Sequence, residues 1–322
     1  MGERMSISVV VPSYRRPHDL PKCLAAIDRQ DRPPDEVIVV HRGDDLDTIA
    51  AVQSCQSTLG FIPKLASVHE PGLVAALNRG LDAAGGDIIA IIDDDTTPWP
   101  DWLTRIESTF RDPSVDAVGG RDDVYHQGVL QSGNDVTVGK IQWFGRMIGN
   151  HRSGIGPPRR VEFLKGANMA FRSSSIAGIR FDTRLRGSGA QVHIELPFCL
   201  SLLKRNGHIV YDPEIRVDHF EAPRMDEDKR CSVVFGAQAQ ANAVFNETIV
   251  LLEYLSPPRR VAFVLWAILI GTRAQPGVVQ LFRIIVSRRP YALRRFVSTL
   301  QGRYDGMLSY AKTCWGGRHQ TS

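Results

Sequence analysis

The sequence is poor in cysteine, and no two of its cysteines have the spacing of a metal site or a redox motif. Five are scattered through 322 residues. The N-terminal residues also lack the apolar core and the small-residue cleavage site of a signal peptide. These absences argue against a disulfide framework, and we expect reduced thiols and a catalytic part in the cytoplasm.

The sequence also lacks a large excess of positive or negative charge, and its apolar stretches are short. The formal net charge is only +4, and no interleaved aromatic and basic run is present, so we expect no nucleic-acid partner. The apolar stretches of the C-terminal part reach about eleven residues, too few to span a bilayer. With 43% hydrophobic and 23% charged residues, the composition is ordinary for a globular enzyme.

Short β-branched runs alternate with helical patterns in the first half of the chain. Three apolar runs predict strands, at residues 7–11, 36–40 and 87–92. This alternation predicts an α/β fold with a doubly wound parallel sheet. Ligands of such sheets bind beyond the carboxyl ends of the strands, where residues 13–16 and 93–95 lie. We therefore expect these two segments to form one site.

The pattern changes twice further along the chain. Between about residues 119 and 158 it weakens into glycine-rich, mixed sequence, and a strand, a helix and a strand are predicted at residues 165–172, 192–205 and 208–211. Beyond about residue 223 the sequence becomes helical, apolar and arginine-flanked. We therefore predict a catalytic domain over residues 1–225 and a helical region over residues 226–322.

Three adjacent aspartates, Asp93, Asp94 and Asp95, follow the third predicted strand. Adjacent carboxylates repel one another, and Mg²⁺ or Mn²⁺ would relieve the repulsion while bridging the phosphates of a nucleotide. One alternative is a solvated turn in which an aspartate caps the next helix. Another is the D-x-D-x-T motif of haloacid-dehalogenase-like phosphatases, but about 90 residues precede the triplet here, whereas that motif normally lies near the N-terminus.

Several segments, in order, resemble those of family 2 glycosyltransferases with the GT-A fold. The matching segments are Ile7–Arg16, Pro71–Gly80, Ile91–Asp95, Lys165–Arg172, Phe181–Asp182 and Tyr211–His219, within roughly residues 5–225. The resemblance implies a doubly wound, mainly parallel Rossmann-like sheet flanked by helices. It also implies an inverting, hexosyltransferase-type enzyme that uses a nucleotide-diphosphate sugar. The expected acceptor is a hydroxyl on a glycan or lipid-linked saccharide, as in polysaccharide biosynthesis.

The same matches imply three groups of site residues. The nucleotide-sugar group is Pro12, Ser13, Arg15, Arg16, Arg42, Asn78, Asp93 and Asp94. The metal group, for Mn²⁺ or Mg²⁺, is Asp93, Asp95 and His219, although a core histidine is an equal alternative for His219. The acceptor-side group is Lys165, Gly166, Asn168 and His193. Arg42 departs from the family, which commonly has an aspartate nearby that reads the base, so uracil selectivity does not carry over.

Glu195 is the candidate general base, because it occupies the first position of the family's acidic pair when one counts back from Gly207. A general base removes the proton of the acceptor hydroxyl as that oxygen attacks the anomeric carbon. The alternative is a solvated glutamate favoured by the helix dipole, and His193 is a weaker candidate base. The second acid is replaced by Leu196, which favours a non-catalytic scaffold as the competing function. A sugar nucleotidyltransferase would need a glycine-rich loop after the first strand, where Pro12-Ser13-Tyr14 stands.

Two apolar stretches of the C-terminal region, residues 261–271 and 277–286, are bracketed by arginines. They fit a pair of interfacial helices on an anionic membrane surface, which would make the protein peripheral on the inner face of the cell membrane. They fit equally a helical hairpin that packs on the catalytic domain or forms a dimer contact.

Overall fold

The structure is a computed structural model that describes residues 4–222, 235–288 and 290–316. It divides into two compact units. The first comprises residues 1–140, 148–183 and 195–223, and the second comprises residues 141–147, 184–194 and 224–322. Two short segments that precede residue 225 thus belong to the second unit.

The strands, in chain order, are β1 (Ile7–Ser13), β2 (Glu36–Arg42), β3 (Lys64–Val68), β4 (Ile88–Ile92), β5 (Thr96–Pro98), β6 (Ala117–His126), β7 (Val129–Leu130), β8 (Lys140–Ile141), β9 (Met147–Ile148), β10 (Arg159–Arg160), β11 (Asn168–Arg172) and β12 (Ile209–His219). The helices are α1 (Leu20–Asp28), α2 (Leu46–Cys55), α3 (Leu73–Ala83), α4 (Trp102–Phe110), α5 (Glu195–Lys204), α6 (Ala237–Tyr254), α7 (Pro257–Leu269), α8 (Val278–Val286) and α9 (Ala292–Gly316). A 3₁₀ turn, Gln56–Thr58, follows α2.

One ten-stranded sheet organises the first unit, in the order β10-β12-β6-β11-β4-β1-β2-β3, with β5 and β7 paired at its side. Strands β3, β2, β1 and β4 are parallel, as are β6 and β12, whereas β11 runs antiparallel to both β4 and β6. Every residue of β1 and β4 is buried, as expected for strands covered by helices on both faces. The predicted α/β class is therefore confirmed.

Helix α1 shows why the sequence folds this way. Leu20, Leu24 and Ile27 recur at helical spacing, and all three are fully buried in the core with β1 and β2. Further along the chain, Trp102 begins α4, is fully buried, and donates its indole N–H to Asn168 Oδ1 at 2.9 Å. These contacts hold the helices on the sheet and leave the loops after β1 and β4 at one edge.

The second unit is helical, and its most extensive contact between helices is that of α6 with α9. Gly302 and Gly306 lie on the face of α9 toward α6, and a Cβ on Gly302 would approach Ala241 O to 2.3 Å. Glycine there lets the two backbones come close. Beside it, the buried Arg303 guanidinium binds Glu247 at 2.9 Å and Gln275 at 2.6 Å. Among the described residues, no helix has both the length and the apolar character needed to cross a membrane.

Candidate active site

The loops after β1 and β4 meet at the carboxyl edge of the sheet. The two strands are parallel neighbours, with Val10 opposite Ile91, so both chains leave the sheet side by side. The Arg16 guanidinium then bridges the two loops, with Nη1 2.6 Å from Asp94 Oδ1 and 2.9 Å from Asp95 Oδ2. The structure thus brings residues 13–16 and the acidic triplet into direct contact.

A third element completes an acidic cluster at this edge. Strand β12 pairs with β5 so that His219 lies opposite Thr96, directly after the triplet. Asp93, Asp95 and His219 each offer one ligand atom, and these atoms lie within 4.8 Å of one another. Two carboxylates and an imidazole form a donor set that suits Mn²⁺, and Mg²⁺ accepts the carboxylate oxygens. The three residues predicted as metal ligands therefore stand together in the structure.

The buried oxygens of the triplet show that a cation fits there. Asp95 Oδ2 accepts hydrogen bonds from Arg16 and from the backbone N–H of Ala222, whereas its Oδ1 lies 3.3 Å from His219 Nε2 without hydrogen-bond geometry. Among the described residues, Asp95 Oδ1 and Asp94 Oδ2 have no hydrogen-bond partner. A buried carboxylate oxygen without a partner is costly, and a bound cation would satisfy it.

The pKa values of the triplet move in opposite directions. Burial raises the pKa of Asp94 to about 7, against the opposing effect of Arg16. Burial acts in the same sense on Asp95, but His219 and Arg16 outweigh it and hold the pKa of Asp95 below its usual range. Two neighbouring carboxylates with such different proton affinities are typical of a crowded, buried acidic site.

Asp122, which the sequence analysis missed, lies behind His219. Its carboxylate is fully buried on β6, with Oδ1 3.0 Å from His219 Nδ1, and its Oδ2 forms an ion pair with Lys165. A carboxylate that accepts a hydrogen bond from Nδ1–H fixes the tautomer of a ligand histidine and leaves Nε2 for the metal. The only sequence signal is an acidic pair, Asp122-Asp123, within a weakly patterned stretch, and nothing there indicates His219 as its partner.

The residues predicted to hold the nucleotide are in part engaged with one another. Arg42 donates to the Tyr14 hydroxyl and lies over its ring, 4.1 Å from the centroid. The backbone N–H of Arg15, which has φ of 54°, donates to Asp45 Oδ2 at 2.6 Å. Pro12 and Ser13 end β1 and are buried. The loop is therefore held in a fixed shape beside the acidic cluster, with its arginines positioned by the fold.

Two predicted asparagines serve the scaffold. Asn78 exchanges two 2.9 Å hydrogen bonds with the backbone of Phe181, one through each polar atom of its amide. The buried Asn168 amide accepts from Trp102 and donates to the carbonyls of Arg121 and Ile215. These bonds use the polar atoms of both side chains. The contact of Asn78 with the nucleotide sugar and that of Asn168 with the sugar acceptor therefore remain predictions, and the observed hydrogen bonds do not favour them.

The remaining predicted residues are spread over both units. Glu195 is the first residue of α5 in the first unit, and its neighbour Leu196 is buried in the position of the second acid. Lys165 is paired with Asp122, and a Cβ on Gly166 would meet open space. His193 belongs to the second unit, has φ of 72°, and places Nε2 3.8 Å from Glu247 Oε2.

Comparison with known proteins agrees with this architecture. A family model described as "Glycosyl transferase family 2" matches residues 8–184. Glycosyltransferase AglE of Haloferax volcanii is 33% identical over 116 residues, which are 35% of this chain and 38% of that protein. The chain therefore matches just over a third of the length of that relative. A glucosyl-dolichyl phosphate glucuronosyltransferase of the same organism is 25% identical over 224 residues, covering 67% of this chain and 69% of that protein.

A solved structure shows the fold. The mannosyltransferase PcManGT from Pyrobaculum calidifontis, determined in complex with GDP-Man and Mn²⁺, superposes with a TM-score of 0.57 at 19% identity. The match covers 96% of this chain and 88% of that chain. At this level of identity the likeness establishes the fold, and the predicted GT-A fold is confirmed.

Proposed function

The chain belongs to glycosyl transferase family 2 and is a transferase enzyme, and from this premise we propose that it is an inverting, metal-dependent hexosyltransferase. It would transfer a sugar from a nucleotide-diphosphate donor to a hydroxyl group. The observation that carries the proposal is the cluster of Asp93, Asp95 and His219, in which the buried Asp95 Oδ1 has no hydrogen-bond partner among the described residues.

In this proposal the three clustered residues hold Mn²⁺ or Mg²⁺. When bound, the cation supplies positive charge to the diphosphate as it leaves. Arg16 holds Asp94 and Asp95 in place, and Asp122 orients His219 with Nε2 toward Asp95. The mannosyltransferase of similar fold, solved with GDP-Man and Mn²⁺, supports a nucleotide sugar and a cation without fixing which ones this chain uses.

The donor would lie against the loop after β1. Ser13 and Arg15 offer a hydroxyl group and a cation at the end of a buried strand, a position suited to phosphate. Arg42, held by Tyr14 and Asp44, stands where the family commonly has a base-reading aspartate. We therefore leave the nucleobase open and assign Arg42 to the nucleotide as a whole.

Glu195 would act as the general base, removing the proton from the acceptor hydroxyl. Its place as the first residue of α5 supports the assignment, because it lies next to the loop that leads into the helix. The acceptor would be a glycan or a lipid-linked saccharide, and the glucosyl-dolichyl phosphate in the name of one relative supports the lipid-linked form. We also propose a cytoplasmic location, in which the four described cysteines, none of which forms a disulfide, would stay reduced.

A non-catalytic GT-A scaffold is the second candidate, and Leu196 is the observation that favours it. Its side chain is 1% exposed, so the second acid of the family pair is replaced by a core residue. A scaffold of this kind would bind the donor without turning it over.

Release of nucleoside diphosphate from a panel of nucleotide sugars, with and without Mn²⁺, separates the two candidates. We expect metal-dependent release by the wild-type chain that Asp95→Ala abolishes, because this change removes a cluster oxygen and the partner of Arg16. Binding of the nucleotide sugar without turnover, whichever acceptor is added, would support the non-catalytic scaffold. Release that persists in Asp95→Ala or without any divalent cation would contradict the metal assignment.

A further inference from the structure

Helix α8 of the second unit exposes its apolar face. Val278, Val279, Phe282, Ile285 and Val286 recur at the spacing of one helix face and are 39–81% exposed, whereas only Ile284 of this helix is buried. An amphipathic helix of a globular protein normally turns such a face inward. This one turns it outward, and Phe282 alone is 65% exposed.

The neighbouring helices extend the same property. On α7, Val261, Leu265 and Leu269 are 53–61% exposed at four-residue spacing, on the side opposite the buried Phe263 and Ala267. Leu293 and Val297 repeat the pattern on α9, at 64% and 56% exposed. Helix α8 contacts both α7 and α9. We call the exposed apolar residues of these three helices the apolar face of the second unit.

The charge of this part of the chain has one sign. From Tyr254 to Tyr304 there are nine arginines and no aspartate, glutamate or lysine, which gives a formal charge of +9 in a chain of +4 and leaves −5 for the rest. Arg303 is neutralised by Glu247 in the interior, but Arg273, Arg283 and Arg288 are exposed around α8. Arg283 lies on α8 itself, and Arg273 and Arg288 lie on either side of it in sequence, so apolar and cationic groups occur together in this part of the chain.

We propose that the second unit docks on an anionic lipid surface, with the apolar face of α8 entering the headgroup region and the arginines binding lipid phosphates. Apolar faces edged by cations have this affinity. At nine residues, α8 is about 14 Å long, enough to lie in the interface and too short to cross it. A second copy of this chain is a poorer occupant, because it would bring two sets of arginines together without an acidic partner from the same stretch.

This inference goes beyond the proposed function and does not depend on it. It rests on the surface of the second unit, so a chain without catalytic activity would dock equally well. Binding to vesicles therefore tests it separately from any turnover assay.

Sedimentation of the full chain with vesicles of phosphatidylcholine, with and without phosphatidylglycerol, is the experiment. We expect binding to the anionic vesicles that weakens at high salt. The pair of changes Phe282→Ser and Ile285→Ser should weaken the partition coefficient by about tenfold or more. Arg283→Gln and Arg288→Gln should each weaken it about fivefold. Ile62→Ser, at a 78% exposed position of the first unit, is the matched control and should bind like the wild type.

Light scattering measures the oligomeric state and so tests the alternative, in which a second copy of this chain covers the apolar face of the second unit. All the substituted side chains are exposed, so unfolding temperatures should stay close to that of the wild type. Failure of the intact chain to bind anionic vesicles would overturn the proposal. So would a dimer that the Phe282 and Ile285 changes dissociate while vesicle binding is unaffected.

Discussion

Replacing Asp122 by asparagine tests how the histidine of the acidic cluster is held. The carboxylate is fully buried, lies 3.0 Å from His219 Nδ1 and forms an ion pair with Lys165. With Nδ1 engaged there, Nε2 faces Asp95 Oδ1 at 3.3 Å. Asparagine keeps the size of the side chain, but it has no charge, and one of its two polar atoms is a donor. Whichever way the amide turns, an N–H group faces either the Lys165 ammonium or the His219 ring.

The size of the effect follows from this loss. Substitution of an outer partner of a metal-binding histidine typically weakens metal affinity by about 10- to 100-fold, or about 1.4–2.7 kcal/mol of binding free energy. The Lys165 side chain is 36% exposed, so water replaces part of its lost partner. We therefore expect the free energy of unfolding of the metal-free chain to fall by only about 1–2 kcal/mol.

Calorimetric titration with Mn²⁺ in the absence of nucleotide measures the metal affinity, and urea unfolding without metal measures the free energy of unfolding. Asp123→Asn is the matched control, because Asp123 is the next residue of β6 and is almost fully buried. It pairs with Arg121 at 2.8 Å and with Arg216 at 2.6 Å. It should lose stability and keep its affinity for Mn²⁺. Equal losses of affinity in both variants, or none in Asp122→Asn, would refute the positioning role.

Two further predictions concern the base and the stability of the first unit. Glu195→Gln should lower turnover by about 100-fold or more while leaving the donor dissociation constant unchanged, since only proton removal is lost; equal turnover in a single-turnover assay would contradict the assignment. Burial lowers the pKa of His151 from 6.5 to about 4, so between these values the unfolded chain binds more protons and stability is lost as the pH falls. Urea unfolding at about pH 7.5 and about pH 5 should differ by about 2 kcal/mol from this group, and a His151→Gln variant that keeps the whole difference would contradict the attribution.

The position of the acidic cluster was predictable because it depends on local patterns. A fully apolar run predicts a buried strand, and parallel neighbours end at one edge, so residues 13–16 and 93–95 could be placed together before the fold was known. The partner of His219 was not predictable in this way. Asp122 is 97 residues distant in sequence and reaches the ring through the parallel pairing of β6 and β12, whose register shifts between Asp212 and Arg216.

The division into units shows a second limit of sequence reasoning. Composition changes near residue 223, but the segments 141–147 and 184–194 join the second unit without any change of composition. The 184–194 segment is held there by hydrogen bonds. Asn246 on α6 accepts from the backbone N–H of Arg186 and donates to the carbonyls of Arg186 and Val192. The partners of this buried amide lie more than fifty residues away, and ion pairs of Arg184 with Glu253 and of Arg186 with Asp305 also join the segment to the second unit.

Periodicity also leaves open whether an apolar face is buried. The leucines of α1 and the apolar residues of α8 show the same kind of helical spacing, yet the first set is fully buried and the second is exposed. The difference comes from what packs against each helix, which the spacing does not contain. The spacing therefore leaves both interpretations of the C-terminal stretches open, and the exposure of individual side chains supports the proposed membrane docking.

The charges at the edge of the sheet explain why we propose a divalent cation there. Among the described residues, Arg16 contacts the triplet and is shared between Asp94 and Asp95. His219 is bound on its other side by Asp122. A diphosphate would add negative charge to this cluster, and the raised pKa of Asp94 shows that the bare site already favours a proton over a further charge. A divalent cation held by Asp93, Asp95 and His219 would offset the negative charge that a donor meets, and the residues that repel the donor in the metal-free protein would then help to bind it.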